Sequence, residues 1–314
     1  MGKMAFLFPG QGAQYVGMGK EFYTRYSKVR EVFQQAQKVL GYDLATLCFE
    51  GPKTQLDQTE YTQPALLTVS IAIVEILKEI GLKPDVTAGL SLGEYSAIVC
   101  SGVMDFTTAV ALVQKRGKYM QEAVPKGVGG MAAILGLEAS KVKALCKQVS
   151  SQGWVAPANF NCPGQVVVGG EIAGIQVFCE AAKEAGAKRA IPLAVSAPFH
   201  TAMLQPAADQ LQKEFESISM GKIKIPYVTN VTGEYVEDPH SIKRLLTQQV
   251  MSPVLWEKSI QRMIEDGVNC FVEVGAGKVL SGFVKKIDDS VSVVSIQDPS
   301  SLEKALEVIG GRIC

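Results

Sequence analysis

The sequence has no imbalance of charge and very little histidine. Lysine and arginine together number 31, and aspartate and glutamate also number 31. Equal counts exclude the global positive charge that would favour nucleic acid or an anionic membrane as a partner, so electrostatic attraction must come from local patches. Only His200 and His240 are present, which leaves few choices for a general base that works near neutral pH.

The cysteines are not spaced for metal or disulfide chemistry. Their number is odd and no two stand in C-x-x-C spacing. We expect reduced, mostly buried thiols in a cytoplasmic protein. They are Cys48, Cys100, Cys146, Cys162, Cys179, Cys270 and Cys314.

Long apolar runs are also missing. The most lipophilic stretch, residues 64–77, is interrupted by Thr, Ser and Glu75, so it is predicted to be a core helix that opens with Pro64 in its first turn. The short apolar piece at the start runs into Pro9-Gly10 rather than a cleavage site, which argues against a signal sequence. Asn230-Val-Thr232 has the form of a glycosylation acceptor, but without an export signal we interpret it as a chance match.

One short stretch indicates chemistry. Gly89-Leu-Ser-Leu-Gly93 fits the G-x-S-x-G nucleophile elbow, in which a sharp strand-to-helix turn exposes a serine hydroxyl. A small apolar run precedes it after Pro84, and helix-compatible residues follow it. The sequence therefore predicts Ser91 as a nucleophile.

Further apolar runs at residues 5–8, 223–229 and 270–274 predict strands buried on both faces, as in a parallel sheet. The loop Pro9-Gly-Gln-Gly12 lacks the third glycine of a dinucleotide-binding turn, because Tyr15 stands there. It is either a bare turn or a set of free N–H groups at a strand end, where open α/β sheets hold ligands. We therefore predict an α/β fold class with a parallel sheet, and the elbow at Ser91 is typical of a hydrolase-like core.

The pattern of predicted strands and helices changes after a hinge-like linker at residues 124–130. A β-α-β-β-α-β order follows, which predicts an inserted ferredoxin-like subdomain over residues 126–196. Residues 1–125 and 197–314 then form the larger catalytic domain. The strands are predicted at 131–137, 154–159, 165–169 and 189–195, and the helices at 138–151 and 172–185.

A serine hydroxyl needs a base within hydrogen-bond reach. His240 lies in a polar turn and is predicted to be solvated, whereas His200 follows Pro198-Phe199 in a rigid, partly apolar setting and is the better candidate. Asp105 is the one aspartate between Ser91 and His200, and it is predicted to cap a helix. We therefore expect a dyad, with the imidazole held by a carbonyl or amide near Gln248-Gln249.

A reaction at Ser91 also needs N–H donors that stabilise the oxyanion and a group that selects the acyl chain. The N–H of Leu92 is the usual first donor of an elbow, and Gln11 is the best candidate for the second. Arg116 shares an apolar helix stripe with Leu112 and Met120. Either its stem packs on the core while the guanidinium reaches water, or it is a buried fork for a carboxylate. The second alternative would suit a short diacid thioester.

These residues closely resemble the malonyl-CoA:acyl carrier protein transacylases of fatty acid synthesis and the related acyltransferase domains of polyketide synthases. The resemblance covers the whole chain. It rests on Phe8-Pro-Gly-Gln-Gly12, Thr62-Gln-Pro-Ala-Leu-Leu67, Gly89-Leu-Ser-Leu-Gly-Glu94, Gln114-Lys-Arg-Gly117, Ala158-Asn-Phe-Asn161, Ala197-Pro-Phe-His200 and Glu273-Val-Gly-Ala276.

The resemblance implies a role for each matching position. Ser91 would be acylated, with His200 as its base, Gln11 and Leu92 as oxyanion donors and Arg116 as the ligand of the malonyl carboxylate. Gln249 would orient the imidazole through its main-chain carbonyl. The acyl pocket and cleft would be lined by Gln63, Met120, Asn159 and Phe199.

The implied reaction is ping-pong transfer of malonyl from malonyl-CoA to the phosphopantetheine thiol of holo acyl carrier protein, with no metal or bound cofactor. One departure is Leu90, where the family commonly has histidine. The acidic carrier could dock on local basic patches; the alternative is that these residues are ordinary solvated charges. We expect the protein to be a monomer. The patches are Lys188, Arg189, Lys285 and Lys286.

Three alternatives stay open on the sequence. A serine esterase or thioesterase shares the elbow but releases free acid without a carrier. An acyltransferase acting on a polyketide carrier shares every motif. A non-catalytic carrier-binding subunit would keep the fold and not need Ser91.

Overall fold

The computed structural model describes residues 2–195 and 197–310. Ser196, at the predicted domain boundary, and Cys314 lie outside the described residues. The strands are β1 (Lys3–Phe8), β2 (Val86–Gly89), β3 (Gly129–Leu135), β4 (Val155–Cys162), β5 (Gln165–Glu171), β6 (Arg189–Pro192), β7 (Tyr227–Val228), β8 (Val268–Val274) and β9 (Ser292–Ile296).

The α-helices cover the sheets and connect the strands. They are α1 (Lys20–Arg25), α2 (Ser27–Leu40), α3 (Leu44–Glu50), α4 (Lys53–Leu56), α5 (Thr59–Glu79), α6 (Leu92–Cys100), α7 (Phe106–Glu122), α8 (Ala139–Val149), α9 (Ile172–Glu184), α10 (Gln205–Glu216), α11 (Ile242–Gln249), α12 (Trp256–Glu265), α13 (Val279–Ile287) and α14 (Pro299–Gly310).

The larger sheet is parallel, with strand order β7-β2-β1-β8-β9. Its central strand β1 is buried on both faces because side chains alternate across a strand. Phe6 and Phe8 pack into one core cluster, and Ala5 and Leu7 pack into the cluster on the opposite face. This burial explains why the run at residues 5–8 is continuously apolar, as predicted.

The smaller sheet is antiparallel, with order β4-β5-β3-β6. With α8 and α9 it gives the predicted β-α-β-β-α-β order, and a separate apolar core lies between these elements. Backbone hydrogen bonds from Phe160 N–H to Val254 O and from Val254 N–H to Ala158 O connect β4 to the larger part of the chain. The division of the chain at residues 126 and 196 stays a prediction.

Several predicted element bounds were wrong, among them the strand at 154–159, which is Val155–Cys162 in the structure. The strand expected at 223–229 is only Tyr227–Val228, because Pro226 has no N–H for a sheet ladder. The strand expected at 189–195 ends at Pro192. Helix α5 begins at Thr59, so Pro64 lies in its second turn rather than its first and forgoes one helical hydrogen bond.

The cysteines and the apolar helices both bear on expectations from the sequence. The six cysteines within the described ranges are buried, and none of them forms a disulfide with another described residue. Among the helices of residues 2–195 and 197–310, none combines the length and apolar character needed to cross a bilayer.

Candidate active site

Ser91 lies at the turn between β2 and α6, with φ 54° and ψ −105°. A side chain at either flanking glycine would collide with backbone. A Cβ on Gly89 would lie 1.9 Å from the carbonyl carbon and oxygen of Gly93, and a Cβ on Gly93 would lie 2.0 Å from the carbonyl oxygen of Phe8. The glycines of the motif therefore let the turn pack directly against the end of β1.

The histidine predicted as the base lies against Ser91. His200 Nε2 is 2.7 Å from Ser91 Oγ, and His200 Nδ1 is 2.8 Å from the main-chain oxygen of Gln249. Since a carbonyl oxygen only accepts, Nδ1 carries the proton and the lone pair of Nε2 accepts the hydrogen bond from the serine hydroxyl. This is the geometry of a dyad whose imidazole is oriented by a carbonyl.

Burial affects the protonation of His200. The side chain is 4% exposed, and desolvation, followed by the positive charge of Arg116, lowers its pKa to about 4. The imidazole is therefore neutral, and able to accept a proton, at neutral pH. His240, the alternative, is exposed and lies in a short turn of 3-10 helix.

Among the described residues, the hydrogen-bond partner of His200 Nδ1 is the main-chain oxygen of Gln249 and not a carboxylate. Asp105 caps α7, where its carboxylate accepts the N–H of Thr108 at 2.8 Å.

Arg116 points from α7 into the site and is fully buried. Its Nη1 donates to Gln63 Oε1 at 2.8 Å, and its Nη2 donates to Gln249 Oε1 at 2.8 Å and to Ser91 Oγ at 3.1 Å. The guanidinium carbon lies 5.2 Å from the centre of the Tyr95 ring, a cation–π distance. The alternative in which this arginine reaches water is wrong; it is a buried fork beside the nucleophile.

The two predicted oxyanion donors lie at the carboxyl ends of neighbouring strands. Gly89 pairs with Phe8 in the parallel register of β1 and β2, so the loop that carries Gln11 and the turn that carries Ser91 meet at one edge of the sheet. Leu92 is the first residue of α6, so its N–H has no acceptor within the helix. Both residues line the cleft at Ser91.

A cleft of about 250 Å³ joins these groups. Both parts of the chain line it: Ser91 and His200 belong to the larger part, and Met131, Asn159 and Val167 to the smaller sheet. Gln249 lies behind the cleft, where it contacts Arg116, Ser91 and His200. The other predicted site residues all line it: Gln11, Gln63, Ser91, Leu92, Arg116, Met120, Asn159, Phe199 and His200.

Sequence reasoning missed three buried polar residues at the site. Asn161 lines the cleft, and its Oδ1 has no hydrogen-bond partner within the described part of the chain. Glu94 and Asn230 lie behind the nucleophile and hydrogen-bond to each other. Asn161 and Glu94 stand inside motifs already quoted, and Asn230 is the residue interpreted above as a chance glycosylation match; being 1% exposed, it is inaccessible to such modification.

Within residues 2–195 and 197–310, no three His, Cys, Asp or Glu side chains come together as metal ligands.

The parallel sheet, the antiparallel sheet and the serine turn define an acyltransferase-type α/β fold. The family model described as "Acyl transferase domain" matches residues 5–298. The chain is 46% identical over 310 residues to the malonyl CoA-acyl carrier protein transacylase of Bacillus subtilis, with 98% of each chain covered. It is 45% identical over 309 residues to that of Escherichia coli, covering 98% of this chain and all of the relative.

Similar solved structures point to the same family as the sequence relatives. The malonyl CoA-acyl carrier protein transacylase of Clostridium perfringens matches with a TM-score of 0.96 at 48% identity, covering 99% of this chain and 98% of that one. A malonyl-transacylase solved in complex with a type II PKS acyl-carrier protein matches with a TM-score of 0.95 at 44% identity, covering 98% and 99%. The chain therefore belongs to the malonyl CoA-acyl carrier protein transacylase family and is an acyltransferase enzyme.

Proposed function

We propose that this enzyme transfers the malonyl group of malonyl-CoA to the phosphopantetheine thiol of holo acyl carrier protein, through a malonyl ester on Ser91. The names of its relatives support the donor and the acceptor. The observation that carries the proposal is the buried guanidinium of Arg116, 3.1 Å from the serine oxygen. A fixed cation so close to the nucleophile suits an acyl group whose second carboxylate is only a few atoms away.

In the first half-reaction, His200 Nε2 takes the proton of Ser91 Oγ while the oxygen attacks the thioester carbonyl. The negative charge that develops on the carbonyl oxygen is stabilised by the N–H groups of Gln11 and Leu92. The tetrahedral intermediate then collapses, the carbon–sulfur bond breaks, and the imidazolium returns its proton to the CoA sulfur. The products are malonyl-Ser91 and free CoA.

The second half-reaction reverses these roles. The neutral imidazole of His200 takes the proton of the carrier thiol, the sulfur attacks the ester carbonyl of malonyl-Ser91, and the carbon–oxygen bond breaks. Ser91 Oγ recovers the proton from the imidazolium. The main-chain carbonyl of Gln249 stabilises the imidazolium of His200 less than a carboxylate would. This weaker stabilisation is enough for thioester chemistry, because a thiolate leaves with less proton assistance than an amine.

We assign malonyl selectivity to Arg116, whose guanidinium is held in place by hydrogen bonds to Gln63 and Gln249. Met120, Asn159 and Phe199 shape the rest of the pocket. No metal or bound cofactor takes part.

Intact-mass measurement tests the proposal. Wild-type protein mixed with malonyl-CoA should gain one malonyl group, and Ser91→Ala should gain none. Ser101→Ala, which changes a buried serine just beyond the other end of α6, is the matched control and should be acylated like wild type. A wild-type protein that stays unmodified would exclude the proposal.

The same samples separate the alternatives. Release of free malonate without a carrier would identify a thioesterase, and unimpaired function of Ser91→Ala would identify a non-catalytic subunit. The type II PKS neighbour makes a polyketide carrier the second candidate acceptor, so transfer rates to fatty acid and polyketide carriers should be compared.

We also propose that the acidic carrier docks on one basic surface formed by Lys188, Arg189, Lys285 and Lys286. Leu135 pairs with Arg189 on one side and with Gln165 on the other, and Lys286 Nζ lies 3.4 Å from Gln165 Oε1. Adjacent strands are about 5 Å apart, so the two basic pairs flank the same end of the smaller sheet.

Electrostatic docking predicts that Lys285→Glu raises the KM for the carrier several-fold while the KM for malonyl-CoA stays unchanged. The effect should weaken as salt rises, since exposed charges are screened. Lys304→Glu on α14, outside this surface, is the charge-matched control. A carrier KM that ignores both Lys285→Glu and salt would contradict the docking surface. We further propose a cytoplasmic monomer that serves fatty acid synthesis.

A further inference from the structure

Asn230 forms hydrogen bonds to both sides of the nucleophile turn. Its Oδ1 accepts the backbone N–H of Ser91 at 2.6 Å, and its Nδ2 donates to the carbonyl oxygen of Gly89 at 2.7 Å. The first partner can only donate and the second can only accept, so the amide has one orientation. The main chain of Asn230 is also engaged: its N–H donates to Glu94 Oε2 at 3.0 Å, and its carbonyl accepts the N–H of Leu255 at 2.9 Å.

The turn needs such support because its backbone is strained. Ser91 has φ 54° and ψ −105°, a conformation that costs a residue with a Cβ on the order of 1–3 kcal/mol and persists only where the surroundings enforce it. Relaxation of this turn would move Ser91 Oγ away from His200 Nε2, now 2.7 Å distant.

Glu94 links this support to the opposite half of the site. The same oxygen, Oε2, that accepts the N–H of Asn230 also accepts Gln249 Nε2 at 2.7 Å. Gln249 in turn accepts from Arg116 and holds His200 Nδ1 through its main-chain oxygen. One buried carboxyl group therefore sets the distance between the residue that supports the nucleophile and the residue that orients the base.

We propose that Asn230 is a positioning residue that holds the strained backbone of Ser91 in its reactive conformation, with Glu94 fixing Asn230 relative to Gln249. This inference rests on the proposed acylation of Ser91. Asn230 is not among the residues that line the cleft, so it acts on the rate of acylation and not on the binding of malonyl-CoA.

Single-turnover acylation, followed by quenched-flow and intact-mass measurement over a range of malonyl-CoA concentrations, tests the proposal. Asn230→Ala leaves the Ser91 N–H and the Gly89 carbonyl unpaired, and should lower the limiting rate constant by about tenfold to a hundredfold. The half-saturating malonyl-CoA concentration should stay unchanged. A purely structural role would instead lower the acylated fraction, because fewer molecules would be folded, and leave the rate constant of the folded ones unaltered.

Asn230→Asp keeps the shape and the acceptor for Ser91 but removes the donor to Gly89, so it should also slow acylation, with near-UV circular dichroism like that of wild type. Thr232→Ala, an exposed change in the same loop, is the control and should react like wild type. Rate constants within twofold of wild type for both Asn230 variants would overturn the inference. Failure of the proposed function would look different, because wild-type protein would then take up no malonyl at all.

Discussion

The Ser91 half of the site lies within one strand–turn–helix segment, whereas the half facing it is assembled from distant parts of the chain. Gln63 comes from α5, Arg116 from α7, Gln249 from the end of α11, and His200 from the segment after β6. The first half is held by the close fit of backbone against backbone at Gly89 and Gly93, with added hydrogen bonds from the side chain of the distant Asn230. The second is held by hydrogen bonds between buried side chains.

This difference predicts how each half of the site responds to amino-acid substitution. Backbone that is packed without room cannot relax when a side-chain atom is added, so the serine half should lose both stability and rate of acylation when its glycines change. A side-chain network can lose one member and keep the chain folded, so the facing half should fail in selectivity or in protonation first. The three predictions below, from the largest effect to the smallest, test this contrast.

Gly93→Ala should produce the largest effect. Its Cβ would lie 2.0 Å from Phe8 O, 2.8 Å from Phe8 C and 3.0 Å from Pro9 O, all of them backbone atoms. Overpacking of this kind costs about 3 kcal/mol, and displacement of the nucleophile by even about 1 Å lowers the rate on the order of a hundredfold. Urea unfolding and single-turnover acylation of Ser91 measure the two losses.

Gly282→Ala in α13 is the matched control, because its added Cβ meets nothing within 4 Å and alanine favours a helix by up to about 1 kcal/mol. It should leave acylation unchanged and not lower stability. If Gly93→Ala behaved like this control, the close fit would not be what holds the turn.

The same contrast decides what the sequence could predict. The elbow, the continuous strand at residues 5–8 and the cap at Asp105 were predictable because each depends on residues close in the chain. The contact of Arg116 with Gln249 depends on how α7 and α11 pack, so the sequence left its guanidinium with two alternatives. Asn230 was missed altogether, since nothing local distinguishes an asparagine that supports a distant turn from one in a loop.

Arg116→Ala should cost the enzyme its preference for malonyl over acetyl groups, by about a hundredfold or more. In the proposed complex the malonyl carboxylate pairs with the buried guanidinium of Arg116; in the variant it would lie unpaired in a desolvated pocket, which costs about 3–5 kcal/mol. The measurement is the ratio of kcat/KM for malonyl-CoA to that for acetyl-CoA.

Two variants sharpen this result. Arg116→Lys keeps the charge but not the planar fork, so it should restore only part of the preference. Lys115→Ala changes the neighbouring residue, whose ammonium is half exposed and pairs with Glu214, and should leave the ratio at its wild-type value. An unaltered ratio in Arg116→Ala would remove the arginine from substrate selection.

The smallest effect, a change in one pKa, concerns the facing half alone. Because burial and then Arg116 lower the pKa of His200 to about 4, this imidazole should stay neutral on acidification until pH approaches that value. Two histidines in the chain make this accessible to NMR: in His240→Gln protein, the one imidazole signal left belongs to His200.

The same shift fixes the sign of the pH dependence of stability. An unfolded histidine binds a proton below about pH 6.5, whereas folded His200 does so only near pH 4. Folding stability from this group is therefore complete above about pH 6.5 and declines as pH falls from there towards 4, because unfolding takes up a proton in that window. Arg116→Gln in the His240→Gln background should raise the pKa of His200, since it removes the second cause of the lowering and leaves burial in place. A His200 signal that titrates near 6.5 in the folded protein would show that neither burial nor Arg116 controls the base.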